Sequence, residues 1–161
     1  MKNLVLTTAV FAAICFVIAC GGSDTSSKSP VTDSPAGISE YDADPVSSDP
    51  KGSGKFTNVE LTHPLDQKMV ADGQKVFDVK CSSCHKLTDE RVVGPGWKGV
   101  TSRRTPEWFM NFITNTDEML NKDAEALSML EICLVRMPNQ NLSDDEARAV
   151  LEFARNNDGD K

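Results

Sequence analysis

Cys81-Ser82-Ser83-Cys84-His85 constrains this chain more than any other stretch. A C-x-x-C-H run is the pattern of c-type haem attachment, in which two thiols bond the porphyrin vinyl groups and the adjoining imidazole binds the iron. Two cysteines three positions apart share one helical turn and reach the same edge of a flat macrocycle, and the next residue projects beneath its centre. In a chain of this composition such a window arises by chance about 0.002 times. The alternatives are a zinc half-site, a redox dithiol and an ordinary disulfide. Zinc asks for a second ligand pair, and the remaining Cys133 and His63 are not in one. A thioredoxin-like dithiol asks for a βαβ setting, and no β-rich run precedes Cys81. One covalent haem is therefore the expected cofactor.

The 161 residues, 39% of them hydrophobic, leave room for one domain with a modest core, to which a haem adds a large apolar body. A net charge of −7 argues against a nucleic-acid partner and for a basic protein surface or simple solubility. Of five cysteines, Cys15 lies in the leader, Cys20 at its end, and Cys81 and Cys84 in the motif. Cys133 is left without a disulfide partner and reads as a buried, inert thiol.

Lys2 followed by an apolar run from Leu4 to Ala19 has the n-region and h-region of a secretory signal, rather short for a membrane span, so the protein is expected to be exported. The end of the run, Val17-Ile18-Ala19-Cys20, resembles the lipobox of bacterial lipoproteins. That resemblance implies acylation of Cys20 as the first residue of the mature chain, an anchor that several acyl chains would make effectively permanent. Gly21 to about Lys55 is rich in Ser, Asp, Pro and Gly, with isolated apolar positions and a charge of −3. So little apolar surface does not offset the entropy of ordering, and the stretch reads as a disordered tether with an r.m.s. span of roughly 30 Å.

From Asp66 to Lys80 the pattern turns helical, with a stripe at 69, 73, 76, 77 and 80 interrupted by Gly73. A glycine inside a helix costs about 1 kcal/mol against alanine, and close approach of a second helix is the expected reason. Gly94-Pro95-Gly96-Trp97 is a turn that either supplies a carbonyl to the second nitrogen of His85 or is a plain loop. Thr105-Pro106-Glu107 opens a helix carrying Trp108, Phe109, Phe112 and Ile113. Asp117 to Val135 is a further helical stretch, with Met119, Leu120, Leu127, Leu130, Ile132 and Leu134 as expected buried positions. Ser143-Asp144-Asp145-Glu146 is a capping box opening a last helix that buries Ala147, Val150, Leu151, Phe153 and Ala154, with 156–161 fraying. No run of alternating β-branched residues occurs, so the domain is predicted to be all-α.

The sixth iron position decides what a haem in this chain can do. Methionine opposite histidine raises the potential and closes the iron, whereas an open position admits peroxide or gas chemistry. The candidates are Met69, Met110, Met119, Met129, Met137 and His63. Met137 is favoured because it precedes Pro138 in a polar, non-periodic segment, while Met110 and Met129 sit in helical patterns typical of core filler. His63, also before a proline, leaves bis-histidine ligation as the rival.

Together these features resemble a class I cytochrome c of the monohaem bacterial type, over residues from about Asp66 to Phe153. The matching positions are Gly73 and Phe77, the Cys81–His85 motif, Gly94-Pro95-Gly96, Met137-Pro138 and the final helix with Phe153. The resemblance implies three to five helices wrapped around one covalent haem. It further implies a helix crossing at Gly73, a Pro95 carbonyl accepting from His85, and Met137 as sixth ligand. The family often buries a haem propionate with an indole N–H or a basic side chain, for which Trp97, Trp108, Arg103 and Arg104 are the candidates. The segment Asp117–Arg136 exceeds what the smallest members carry.

The expected organisation is a lipoprotein signal peptide over 1–19, a lipidated cysteine with its linker over 20–55, and a cytochrome c domain over 56–161. The expected function is an electron carrier rather than an enzyme, held by Cys20 to a membrane on the periplasmic side or the cell surface. The alternative is a small haem peroxidase or gas-binding protein with a labile sixth ligand. Expected partners are a quinol-oxidising complex, a terminal oxidase or a reductase for nitrogen oxides, with no nucleic acid. From Phe56 onward the chain has 13 basic and 18 acidic residues, so a basic docking patch and an association rate that falls with salt are expected.

Overall fold

The computed structural model describes residues 46–161. The expected signal peptide over 1–19, Cys20 and the tether as far as residue 45 lie outside the described residues. Helix α1 spans Gln67–Lys80 and starts at Asp66, whose carboxylate accepts from the amides of Lys68 (2.8 Å) and Met69 (3.0 Å). A one-turn α2, Val100–Arg103, precedes α3, Pro106–Thr114, where Pro106 fills the first position and the Thr105 hydroxyl accepts from the Trp108 amide at 3.1 Å. Then come α4, Thr116–Lys122, and α5, Ala124–Cys133. The last helix, α6, spans Asp144–Asp158 and opens with a reciprocal Ser143/Glu146 capping box.

Among the described residues there are no strands, only the isolated bridges Ser47–Asp123 and His85–Arg91, so the all-α expectation holds. The helix count is six because α2 is present and because the expected Asp117–Val135 segment divides at Asp123. Asp123 leaves the helical region (φ −106°, ψ 126°) and caps α5 by accepting from Ala126 N at 2.9 Å.

The scaffold is the crossing of α1 on α6. A Cβ on Gly73 would stand 2.0 Å from the Ala149 carbonyl oxygen and 2.9 Å from Phe153 Cβ, so only glycine lets the two backbones meet. One turn further, Phe77 packs against Phe153 (ring centroids 5.5 Å) and edge-on to Trp97 (4.8 Å), and Trp97 continues to Phe109 (5.5 Å). All five expected apolar residues of α6 are buried.

Three expectations are corrected. Residues 46–55, read as tether, are a strap packed on the domain. Ser47 bonds Lys122 O (2.6 Å) and Ala124 N (2.9 Å), and buried Asn111 donates to Lys51 O (3.0 Å) and Phe56 O (2.9 Å) while accepting from Phe56 N (2.9 Å). The strap has little apolar surface of its own because side chains of the helices satisfy its backbone. Ile132 and Leu134 are exposed rather than buried, since Leu134, with φ 58°, terminates α5 in the left-handed region and turns the chain outward. The stretch 156–158 remains helical because Asp158 is engaged, its carboxylate accepting from Gly99 N (2.6 Å), Thr101 N (2.9 Å) and the Thr101 hydroxyl (2.7 Å) at the start of α2.

A buried ion cluster ties α6 to the segment before α1. Glu152, fully buried, accepts from the Thr62 hydroxyl, Asp66 N (3.1 Å), Arg148 (2.6 Å) and Arg155 (3.0 Å); Arg155, also buried, reaches Thr62 O (3.2 Å) and Asp160 (3.0 Å). Burial pushes the Glu152 carboxyl up, but the hydrogen bonds from Thr62, Arg148 and Asp66 outweigh it and hold the group below its usual range. A depressed folded-state value means that the stabilisation is present above the unfolded value of 4.5 and is lost as pH falls through the folded one. Stability to urea of the haem-loaded protein is therefore expected to drop from about pH 5 to pH 3. Glu152→Gln is expected to lose about 3 kcal/mol at pH 7, by leaving Arg155 short of its partner, and to show a shallower acid limb.

Candidate functional site

The motif is a tight continuation of α1. Cys81 N and Ser82 N both bond Phe77 O at 2.9 Å, then Cys84 N (3.1 Å) and His85 N (3.0 Å) bond Cys81 O, which turns the three functional side chains off the helix end. Cys81 is buried and Cys84 half-buried. Burial pushes the Cys81 thiol up to about 11, the nearby Lys80 ammonium opposing and Cys84 adding.

His85 is fixed on two sides. Its Nδ1 donates to Pro95 O at 2.8 Å, which leaves the Nε2 lone pair free. Burial lowers the pKa of the ring more than the Pro95 carbonyl raises it, so the imidazole is neutral at pH 7, the form that ligates. Gly94 lies against its face: a Cβ there would stand 2.3 Å from Cε1 and 2.8 Å from Nε2. The loop that carries Gly94 and Pro95 is clamped back on the motif by Gly94 N to Cys84 O (3.0 Å) and Trp97 N to Lys86 O (2.8 Å).

In front of the imidazole opens a cleft of two adjoining lobes, each about 100 Å³. The first is lined by Cys84, Val93, Leu120, Leu130, Cys133 and Val135, among others, the second by Trp97, Val100, Arg103, Arg104, Trp108 and Phe109. His85, Pro95, Phe112, Met129 and Met137 line both. Among the described residues, no carboxylate lines either lobe. An apolar slot with Cys84 and Arg136 in one lobe, Arg103 and Arg104 in the other and His85 bordering both fits a flat apolar macrocycle with anionic tails.

The structure brings Cys84, His85, Pro95 and Met137 to this cleft, with Cys81 buried beside it. His63, the rival ligand, is exposed and stands against the Arg155 guanidinium at 3.4 Å, outside the lining of either lobe. Cys133, expected to be buried and inert, is half-buried and lines the first lobe. Met129, expected to fill the core, is half-buried on the cleft wall, whereas Met110 is buried as expected. Of the propionate candidates, Trp108 is committed elsewhere, its indole N–H donating to Asp123 at 3.1 Å. Arg103 and Arg104 line the second lobe, Arg104 also pairing with Glu125 at 2.7 Å.

The cytochrome c family model matches residues 70–158. The chain belongs to the cytochrome c family. Among solved structures it is similar to a cytochrome c from Rhodothermus marinus, with 31% identity over 65% of this chain and 90% of that one and a TM-score of 0.63. It is also similar to an engineered cytochrome c from the same organism, 30% identical over the same shares with a TM-score of 0.62. The engineered protein bound to a carbene intermediate matches with a TM-score of 0.60. No curated protein matches significantly. A cytochrome c carries covalent haem c as an electron-transfer group, and the cleft of this chain has the lining for it.

Sequence reasoning missed the role of Gly94 as the surface on which the imidazole rests, having only turn chemistry to go on. It also missed the α5 wall, for which the spacing of Met129, Leu130 and Cys133 on one helix face was the available signal. Gly94→Ala is expected to force the ring off Pro95 O. The expected outcome is a clear loss of haem per mole of purified protein, read from the absorbance ratio, and a shifted reduction potential in what remains.

Proposed function

We propose that the chain is an exported, membrane-tethered monohaem electron carrier. Cys81 and Cys84 would hold a haem c covalently, His85 and Met137 would ligate its iron, and Arg103 and Arg104 would offset the charge of its propionates. The haem iron supplies reversible one-electron chemistry. The protein's residues do the rest: Pro95 O fixes the imidazole orientation, the apolar walls exclude water, and the arginines hold the anionic end. The observation that carries this reading is an imidazole fixed by Pro95 O on a cleft that the thioethers of Met129 and Met137 also line and that no carboxylate of the described residues lines.

The tether reading rests on Val17-Ile18-Ala19-Cys20 and the Ser/Asp/Pro/Gly-rich stretch that follows. A quinol-oxidising complex, a terminal oxidase or a reductase for nitrogen oxides suits a carrier held this way. Cys20→Ala is expected to move the protein from the membrane fraction to the soluble one. The decisive test of the carrier reading is the optical spectrum of the haem-loaded wild type. Expected are low-spin spectra in both redox states, a weak sulfur-to-iron charge-transfer band when oxidised, and no change on adding carbon monoxide or peroxide. A high-spin spectrum with rapid peroxide turnover would point to the enzymatic alternative.

A further inference from the structure

The two lobes of the cleft meet where their linings coincide, at His85 and Pro95 on one wall and Phe112, Met129 and Met137 on the other. A macrocycle held across both lobes would bring the side chains that border both lobes nearest its centre. Two of them carry thioethers. None of the other sulfurs of the described residues borders both lobes, Cys81 and Cys84 belonging to the attachment motif. Met110 is buried in the core, Met119 accepts from the Ser53 amide at 3.0 Å, Met69 lines a groove between α1 and α6, and Cys133 borders the first lobe alone.

The two thioethers differ in how they are held. Met129 sits within α5, its backbone in the helical ladder. Met137 lies in the segment after α5, where no backbone-to-backbone hydrogen bond involves residues 135–142 among the described residues. That segment is held by Arg136, which donates to Asp117 O (3.2 Å) and Asn121 Oδ1 (3.0 Å), and by Leu142, buried in the core at its far end, while Arg91 donates to Ile132 O (3.0 Å) in the last turn of α5 before it. Segments tied this thinly open at low free-energy cost, while helices do not.

We propose that Met129 is a reserve iron ligand, which takes the sixth position when Met137 withdraws. The inference rests on the carrier reading of the same site. The exchange is thioether for thioether: one sulfur lone pair leaves the iron as another arrives, and no proton or electron moves. Met129 would keep the sixth position occupied when the 135–142 segment opens, so that opening would not admit peroxide or gases to it.

The test compares the haem-loaded wild type with Met137→Ala, Met129→Leu and the double variant, by the oxidised charge-transfer band and by the ring-shifted methionine methyl resonance of the reduced protein. Leucine preserves most of the volume of Met129, and far-ultraviolet circular dichroism checks each fold. Expected is a band that persists in Met137→Ala with the methyl resonance moved, persists in Met129→Leu with the resonance unmoved, and vanishes only in the double variant. A folded Met137→Ala that is high-spin, or low-spin without the band, overturns the proposal and leaves the carrier reading intact. A band lost in Met129→Leu but kept in Met137→Ala also overturns it, by making Met129 the primary ligand. A wild type without the band overturns both readings together.

Discussion

The close approach of α1 and α6 at Gly73 is the constraint on which the rest of this structure depends. With the Ala149 carbonyl 2.0 Å from where a Cβ would stand, the two helices are at backbone contact, and the distance leaves no room for adjustment. That contact sets the position of Phe77, whose carbonyl receives both Cys81 N and Ser82 N and whose ring meets Trp97 and Phe153. The haem motif is thus the end of a helix that is held rigidly one and two turns earlier. A site built on the end of a packed helix has its geometry determined by the core, and the loops have only to close over it.

The closing loop shows the same economy. Gly94 and Pro95 act on the face and the edge of one imidazole, the glycine by absence of a side chain and the proline through its carbonyl. Gly96 then allows the loop to run against Thr88 O, which would stand 2.2 Å from a Cβ. The Gly94-Pro95-Gly96 triplet is better understood as a surface fitted to His85 and to the backbone beneath than as a turn.

Legibility in the sequence followed the range of the interaction. Elements started by local chemistry were readable to within a residue: Thr105-Pro106, the Ser143 capping box, and the helix leading into the motif. The haem motif was readable because five adjacent residues hold both attachment thiols and one iron ligand. What failed depended on partners far along the chain. The strap over 46–55 looked like tether because its order comes from Asn111, some sixty residues away, and from Lys122 and Ala124. The end of α6 looked frayed because Asp158 is ordered by Gly99 and Thr101. Leu134 looked buried because hydrophobicity says nothing about a left-handed backbone.

Asp123 shows how such distant contacts reach the site. It is buried, accepts from Trp108 Nε1 and from Ala126 N, and is bridged to Ser47 in the strap. One carboxylate therefore joins α3, the start of α5 and the N-terminal strap. Because a helix has one rotational setting once its first turn is capped, this also decides which face of α5 looks into the cleft. Six residues after Asp123 comes Met129 and four later Cys133, both on that face, with the outward turn at Leu134 beyond. The wall opposite His85 is thus positioned in part from the strap side, beside the Arg104–Glu125 pair and the packing of Met129 and Leu130 with Trp108 and Leu120. The segment bearing Met137 begins only where that rigid wall ends.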